Sequence, residues 1–207
     1  QGDVDTIQLT SGTNTVIGGV GADSITAGSG TNTVLGDDGE ATFHDGRLQL
    51  IRSTNSDAGD NDTIILNDGT NTVIAGDGMD RVTIGTGTNV ILGDEGLLRV
   101  NGDGTTTIQT INPAVGNTDT ITGGSEGSNI IIGGTQGDDI SFASGNYVIL
   151  GDSGQVTQDG LDGNTANATT NILTITDNLL VGEKWMVTLD ADGENTTHDR
   201  HYERTVQ

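Results

Sequence analysis

Gly18-Gly-Val-Gly-Ala-Asp23-Ser-Ile25-Thr-Ala-Gly-Ser-Gly-Thr-Asn32-Thr-Val34 is the stretch on which the fold turns. Nine residues separate Asp23 from Asn32, and an aliphatic residue, Ile25 or Val34, follows each by two positions. The beat reaches back to Asp5 and Asn14 and recurs at Asp62, Asn71, Asp80 and Asn89. A third set runs Asp119, Asn129, Asp138 and Tyr147, with one extra residue in its first step. So short a period predicts a solenoid in which each repeat is one strand plus one turn. Two nine-residue repeats make a coil of 18 residues, so alternate turns stack on the same edge. Acids then line one edge and amides the other.

A longer period encloses the short one. Asp5 to Asp62 and Asp62 to Asp119 are each 57 residues. Each unit closes on a turn: Gly36-Asp37-Asp38-Gly39, Gly93-Asp94-Glu95-Gly96 and Gly151-Asp152-Ser153-Gly154. After the first two closures the nine-residue beat stops. Residues 41–58 and 98–115 hold tight-turn signals at Asp45-Gly46 and at Gly102-Asp103-Gly104. They read either as hairpins projecting from the acidic edge or as one long coil. The expected organisation is therefore repeat units at 1–58, 59–115 and 116–154, a linker at 155–171 and a partial β module at 172–207. The fold class is all-β, a right-handed parallel β-roll or β-solenoid. The chain opens inside a repeat and reads as a segment of a longer protein.

The composition narrows the function. Net charge is −23 with seven Lys and Arg, which leaves no basic footprint for nucleic acid and disfavours an anionic membrane surface. No apolar run approaches the ~20 residues that span a bilayer, and no signal peptide is visible. There is no Cys to form a disulfide. Aromatic residues are 2% of the chain, so a thin core is expected, roughly one inward aliphatic per strand. Such a core invites outside help, and a bound metal is the candidate.

Strands stacked about 4.8 Å apart bring carboxylates of neighbouring coils together, which is costly unless a cation lies between them. A hard divalent ion with oxygen ligands suits that chemistry. Isolated pairs such as Asp60 and Asp62 are also ordinary turn formers, and Thr-Asn pairs are too. The column at coil spacing is what favours metal. His198 and His201 lack the His-Glu-x-x-His spacing of a zinc site, and no nucleophile elbow or phosphate loop is present.

Gly18 to Ile25 resembles the G-G-x-G-x-D-x-U nonapeptide of the RTX (hemolysin-type) calcium-binding repeat family. Ala75-Gly-Asp-Gly-Met-Asp-Arg-Val82 is similar, with Ala for the first Gly. The resemblance implies calcium (Ca2+) between same-edge turns, held by Asp carboxylates and turn carbonyls. Carried across, the ligands are Asp5, Asp23, Asp62, Asp80, Asp119 and Asp138, with Gly19, Gly21, Gly76 and Gly78 offering carbonyls. Asp3 and Asp60 stand in the opening turns. Asp37, Asp94 and Asp152 stand four residues early, as displaced carboxylates for the last site of each unit. Gln136 replaces a turn Gly beside Asp138, and Asp139 is a rival for its role. The Asn edge is expected to form an amide ladder, broken after every two coils, rather than a second calcium edge.

The implied function is a calcium-loaded spacer or stalk in a large, secreted bacterial adhesin or matrix protein, exported by type I secretion and not an enzyme. The alternatives are an ice- or glycan-binding module on the Thr-Asn edge, or a filament subunit stacking end to end with copies of itself.

Overall fold

The computed structural model describes residues 2–55, 59–124, 127–159, 172–175, 184–189 and 200–205. All the regular elements among them are strands. Two parallel sheets form the walls of a β-roll. The first holds β1 (Thr6–Leu9), β3 (Ser24–Ala27), β7 (Thr63–Leu66), β9 (Arg81–Ile84), β13 (Thr120–Gly123) and β15 (Asp139–Phe142). The second holds β2 (Gly12–Ile17), β4 (Gly30–Leu35), β8 (Gly69–Ile74), β10 (Gly87–Leu92), β14 (Ser128–Gly134) and β16 (Asn146–Asp152). Register follows the nine-residue beat: Ile25 pairs with Ile64, and Val34 with Val73. Their side chains fill a fully buried core between the walls, joined by Val82, Ile91, Ile121 and Ile131. Period-2 alternation sends the β-branched residues inward, as pleating requires.

The insertions are hairpins. In β5 (Gly39–His44) and β6 (Arg47–Ser53), Asp45 and Gly46 both take positive φ, 49° and 74°. Those values make the primed turn that Asp-Gly favours. β11 (Gly96–Val100) and β12 (Thr105–Thr110) form the second hairpin, whose loop Asp103 ties by accepting from the Thr105 N–H and hydroxyl. The long-coil reading is set aside.

The hairpins do not project singly, however. β6 pairs antiparallel with β11, and β12 with β17 (Gly154–Asp159), which pairs with β18 (Ile172–Ile175). The result is a third, antiparallel sheet of six strands. Residues 155–159, expected within a linker, are its third-unit strand.

This third sheet adds a second core. Ile51, Leu98, Ile108 and Val156 lie in one cross-strand row and pack with Leu35, Ile74, Leu92, Ile132 and Leu150 of the second sheet. The second sheet is thus apolar on both faces, and the expectation of a thin core is corrected. Leu98 and Val156 hold the position where the beat would place Asp, because they face this core rather than a turn. Ile17 shows what the covering achieves. It pairs with Leu35 one coil before the third sheet begins, and it is 42% exposed against 1% for Leu35. Burying a side chain of this size stabilises by about 1.5–3 kcal/mol.

The chain divides into two units, Gln1–Thr176 and Asp177–Gln207. The boundary lies a few residues beyond the expected start of the β module, because β18 belongs to the third sheet. In the second unit β19 (Lys184–Leu189) and β20 (Arg200–Thr205) pair antiparallel, Lys184 opposite Thr205. His198 lies outside the described residues.

Candidate metal centre

The acids form one continuous column. The Asp5 N–H donates to Asp23 Oδ1 at 2.7 Å, Asp23 to Asp62 at 2.7 Å, and Asp62 to Asp80 at 2.7 Å. Asp80 donates to Asp119 at 2.8 Å and Asp119 to Asp138 at 2.9 Å. The links Asp23–Asp62 and Asp80–Asp119 jump 39 residues, across a hairpin, without interrupting the column. Each of the five carboxylates from Asp23 to Asp138 thereby spends one oxygen on the neighbouring coil's backbone. The other oxygen, Oδ2 of Asp23, Asp62, Asp80, Asp119 and Asp138, is buried with no hydrogen-bond partner. A carboxylate has acceptors only, so an orphaned buried oxygen needs a proton or a cation.

Glycines line the orphaned oxygens. A Cβ added to Gly18 would collide with Asp23 Oδ2 and the Gly36 carbonyl. Gly36 stands likewise against Asp62 Oδ2 and the Ala75 carbonyl, and Gly93 against Asp119 Oδ2 and the Gly133 carbonyl. Gly133 faces Asp138 Oδ2 and the Gly151 carbonyl. Each cradle therefore converges one carboxylate oxygen and one carbonyl of the next coil on a space free of side chain. Among the described residues no three acidic or histidine side chains gather at one point. The site is one acid per coil with main-chain oxygens, the donor set of a hard divalent cation.

The electrostatics agree. Burial pushes the carboxyl of Asp62 up to about 7, Asp119 to about 8, Asp80 to about 9 and Asp138 to about 6. Neighbouring carboxylates push the same way, and the backbone N–H bonds only partly offset it. Asp23 is raised as well, by burial.

The other expected residues fall differently. Asp3, Asp5 and Asp60 have exposed side chains. Asp3 and Asp60 press their carbonyls against Gly21 and Gly78, whose φ of 131° and 149° no bulkier residue adopts comfortably. Gly19 and Gly76 donate their N–H groups to the Gly36 and Gly93 carbonyls. Asp94 spends Oδ1 on the Asn117 N–H and Oδ2 on the Thr135 N–H and hydroxyl. It clasps the chain where the second hairpin re-enters the roll. Asp37 does the same through the Asp77 N–H at 2.7 Å, but its Oδ1 is buried without a partner, and burial raises it to about 7. Asp152 pairs in register with Gly134. Gln136 takes the turn at φ 68° and Asp138 keeps its place in the column, while Asp139 is exposed in β15. The cradle glycines Gly18, Gly36, Gly93 and Gly133 were not singled out in the sequence. Their signal was a glycine four positions after each of Asn14, Asn32, Asn89 and Asn129.

The amide edge is self-sufficient. Asn14, Asn32, Asn71 and Asn89 each donate Nδ2 to Oδ1 of the next amide at 2.7–2.8 Å, and Asn129 is the last acceptor. Asn14, Asn32 and Asn71 also donate to the carbonyls of Thr10, Gly28 and Asn67. The ladder crosses both hairpins intact, which corrects the expectation that it breaks after every two coils. Tyr147 ends it, with its hydroxyl on the Ser144 carbonyl at 3.1 Å and its ring 5.3 Å from Phe142.

A family model described as the RTX calcium-binding nonapeptide repeat, in 4 copies, matches residues 9–42 and 57–91. These two segments are RTX calcium-binding repeats. RTX repeats bind Ca2+, form parallel β-rolls and are typical of secreted proteins. They are a structural rather than an enzymatic repeat. The match ends at residue 91, whereas the column continues through Asp119 and Asp138 with the same bonds. No curated protein and no solved structure matches the chain. No helix among the described residues is long and apolar enough to cross a membrane.

Proposed function

We propose that this segment is a calcium-loaded spacer or stalk of a large extracellular bacterial protein, an adhesin or matrix component. The observation that carries the reading is the row of five buried Oδ2 atoms without partners. Calcium along the column would take its carboxylate oxygens from Asp23, Asp62, Asp80, Asp119 and Asp138. Its carbonyls would come from Gly36, Ala75, Gly133 and Gly151. The ion neutralises a column that is otherwise repulsive and desolvated, so binding becomes folding free energy. Export through a type I route fits a chain that stays unfolded where calcium is scarce and folds outside, at roughly millimolar calcium.

Circular dichroism at pH 8 and low salt tests this. The strand signal should vanish in excess chelator and return with calcium. A spectrum unchanged by chelator would sink the proposal.

A second reading rests on Thr13, Thr31, Thr70 and Thr88, which stack in register and are exposed. This uninterrupted row favours a glycan- or ice-binding face. Thermal hysteresis or glycan-array binding that is lost in Thr31→Val and Thr70→Val would support it.

A further inference from the structure

Asp37 and Asp94 hold the same place in successive units, yet only Asp94 is satisfied. Asp94 takes the Asn117 N–H on Oδ1 and the Thr135 N–H and hydroxyl on Oδ2. Asp37 takes the Asp77 N–H on Oδ2 at 2.7 Å, and its Oδ1 is left buried with no partner. The residue opposite explains part of the difference. Where Asp94 meets the hydroxyl of Thr135, Asp37 meets Asp77, so a donor is replaced by a second carboxylate, which has acceptors alone. The two side chains are also turned differently. A carbon at the Cβ position of Gly116 would lie within 2.3 Å of both Asp94 oxygens, whereas at Gly59 and Gly76 it would lie within 2.2 Å of Asp37 Oδ2 but not of Oδ1. Asp37 is 6% exposed, so water does not make up the loss. It also adjoins the column: it follows Gly36, which stands against Asp62 Oδ2, and the Asp62 carboxylate acts on it more strongly than that of Asp77 does. One turn therefore holds two buried carboxylate oxygens without partners, Oδ1 of Asp37 and Oδ2 of Asp62.

We propose that Asp37 is a second carboxylate ligand to the calcium ion at Asp62, which makes this the tightest site of the column. The inference rests on the calcium reading above. A buried, partnerless carboxylate oxygen needs a positive charge, and two such oxygens in one turn are met by one divalent ion. The number of charged ligands tunes calcium affinity, so a site with two carboxylates holds its ion longer than a site with one. Asp94 has no such role, because donors already take both its oxygens. The tight site has a structural consequence as well. Asp37 lies just before the first hairpin and Asp62 just after it, so an ion held by both closes the chain at the hairpin's base.

Calcium-loaded chain mixed rapidly with excess chelator, with the released ions counted by an absorbing indicator, tests this. Wild-type chain should release calcium in two phases, the slower one carrying a single ion. Asp37→Asn keeps an acceptor for the Asp77 N–H and should speed the slow phase by about tenfold or more. Asp94→Asn should leave it unchanged. A slow phase unaltered in Asp37→Asn, or accelerated equally in both variants, would overturn the inference. So would release from the wild type in a single phase, which decides the matter even where a variant fails to fold. Each of these results leaves the calcium reading standing, whereas a wild-type chain that takes up no calcium would overturn both.

Discussion

The two edges of the roll are built from residues that differ by one functional group, and they solve the stacking problem in opposite ways. An amide has a donor and an acceptor. Stacked Asn residues therefore satisfy one another, as the ladder from Asn14 to Asn129 does at 2.7–2.8 Å. A carboxylate has acceptors alone. Stacked Asp residues can take one backbone N–H each, after which Oδ2 is left with nothing. The Asn edge is complete in the bare polypeptide, and the Asp edge is complete only when something positive is supplied. Alternating the two gives a roll with one permanent seam and one conditional seam.

The largest effect that would break this comparison is in pH. In calcium-free buffer the column carboxyls hold protons more tightly in the fold than in the unfolded chain. The carboxyls of Asp62, Asp80, Asp119 and Asp138 rise from the ordinary 3.8 to between about 6 and about 9, and Asp23 is raised as well. Raised carboxyls favour the fold at low pH. That stability is lost progressively as pH climbs from about 4 to about 9. Calcium-free chain should therefore fold on acidification and unfold at pH 8, and added calcium should flatten the dependence. Chemical denaturation across that range checks it. Greater stability at pH 8 than at pH 5 without calcium would place the raised carboxyls elsewhere.

A smaller effect separates the conditional seam from the apolar support it shares with the other. Leu98→Ala empties part of the core beneath the third sheet and should cost about 2–5 kcal/mol in saturating calcium. The ion count should not change, because Leu98 touches neither edge. A drop in calcium stoichiometry would show that the hairpin sheet shapes the cradles.

The smallest effect probes the permanent seam. Asn71→Ala removes the donor to Asn89 and the acceptor of Asn32 in a fully buried site. It should cost about 1–3 kcal/mol. The loss should be the same with and without calcium in any condition where the chain folds, which paired melting curves would show. A calcium-dependent cost would tie the two edges together.

Much of this was legible in residue spacing. The interval from Asp23 to Asn32 placed the strands, the two edges and the acid–amide division. The hairpin turn at Asp45-Gly46 was legible because so few residues tolerate positive φ. What the third sheet does was not. Leu98 and Val156 look like defects in a nine-residue repeat, and only long-range pairing of β6 with β11 and of β12 with β17 makes them a core. The structural bonds of Asp37 and Asp94 were hidden for a related reason. An acid near a turn reads as a ligand. These two accept backbone N–H groups from residues 40 and 41 positions later, a distance no local pattern encodes. The cradle glycines were hidden because a glycine's usual role in a turn is conformational, whereas here four of them leave room beside an oxygen.

Calcium stoichiometry in paired single variants tests the account most directly. Asp62→Ala and Asn71→Ala alter neighbouring rungs of opposite edges, and both residues are almost fully buried. Titration calorimetry should show Asp62→Ala binding fewer ions than the wild type and Asn71→Ala binding the same number. Equal loss from both variants, or loss from neither, would contradict the division of the roll into a calcium seam and an amide seam.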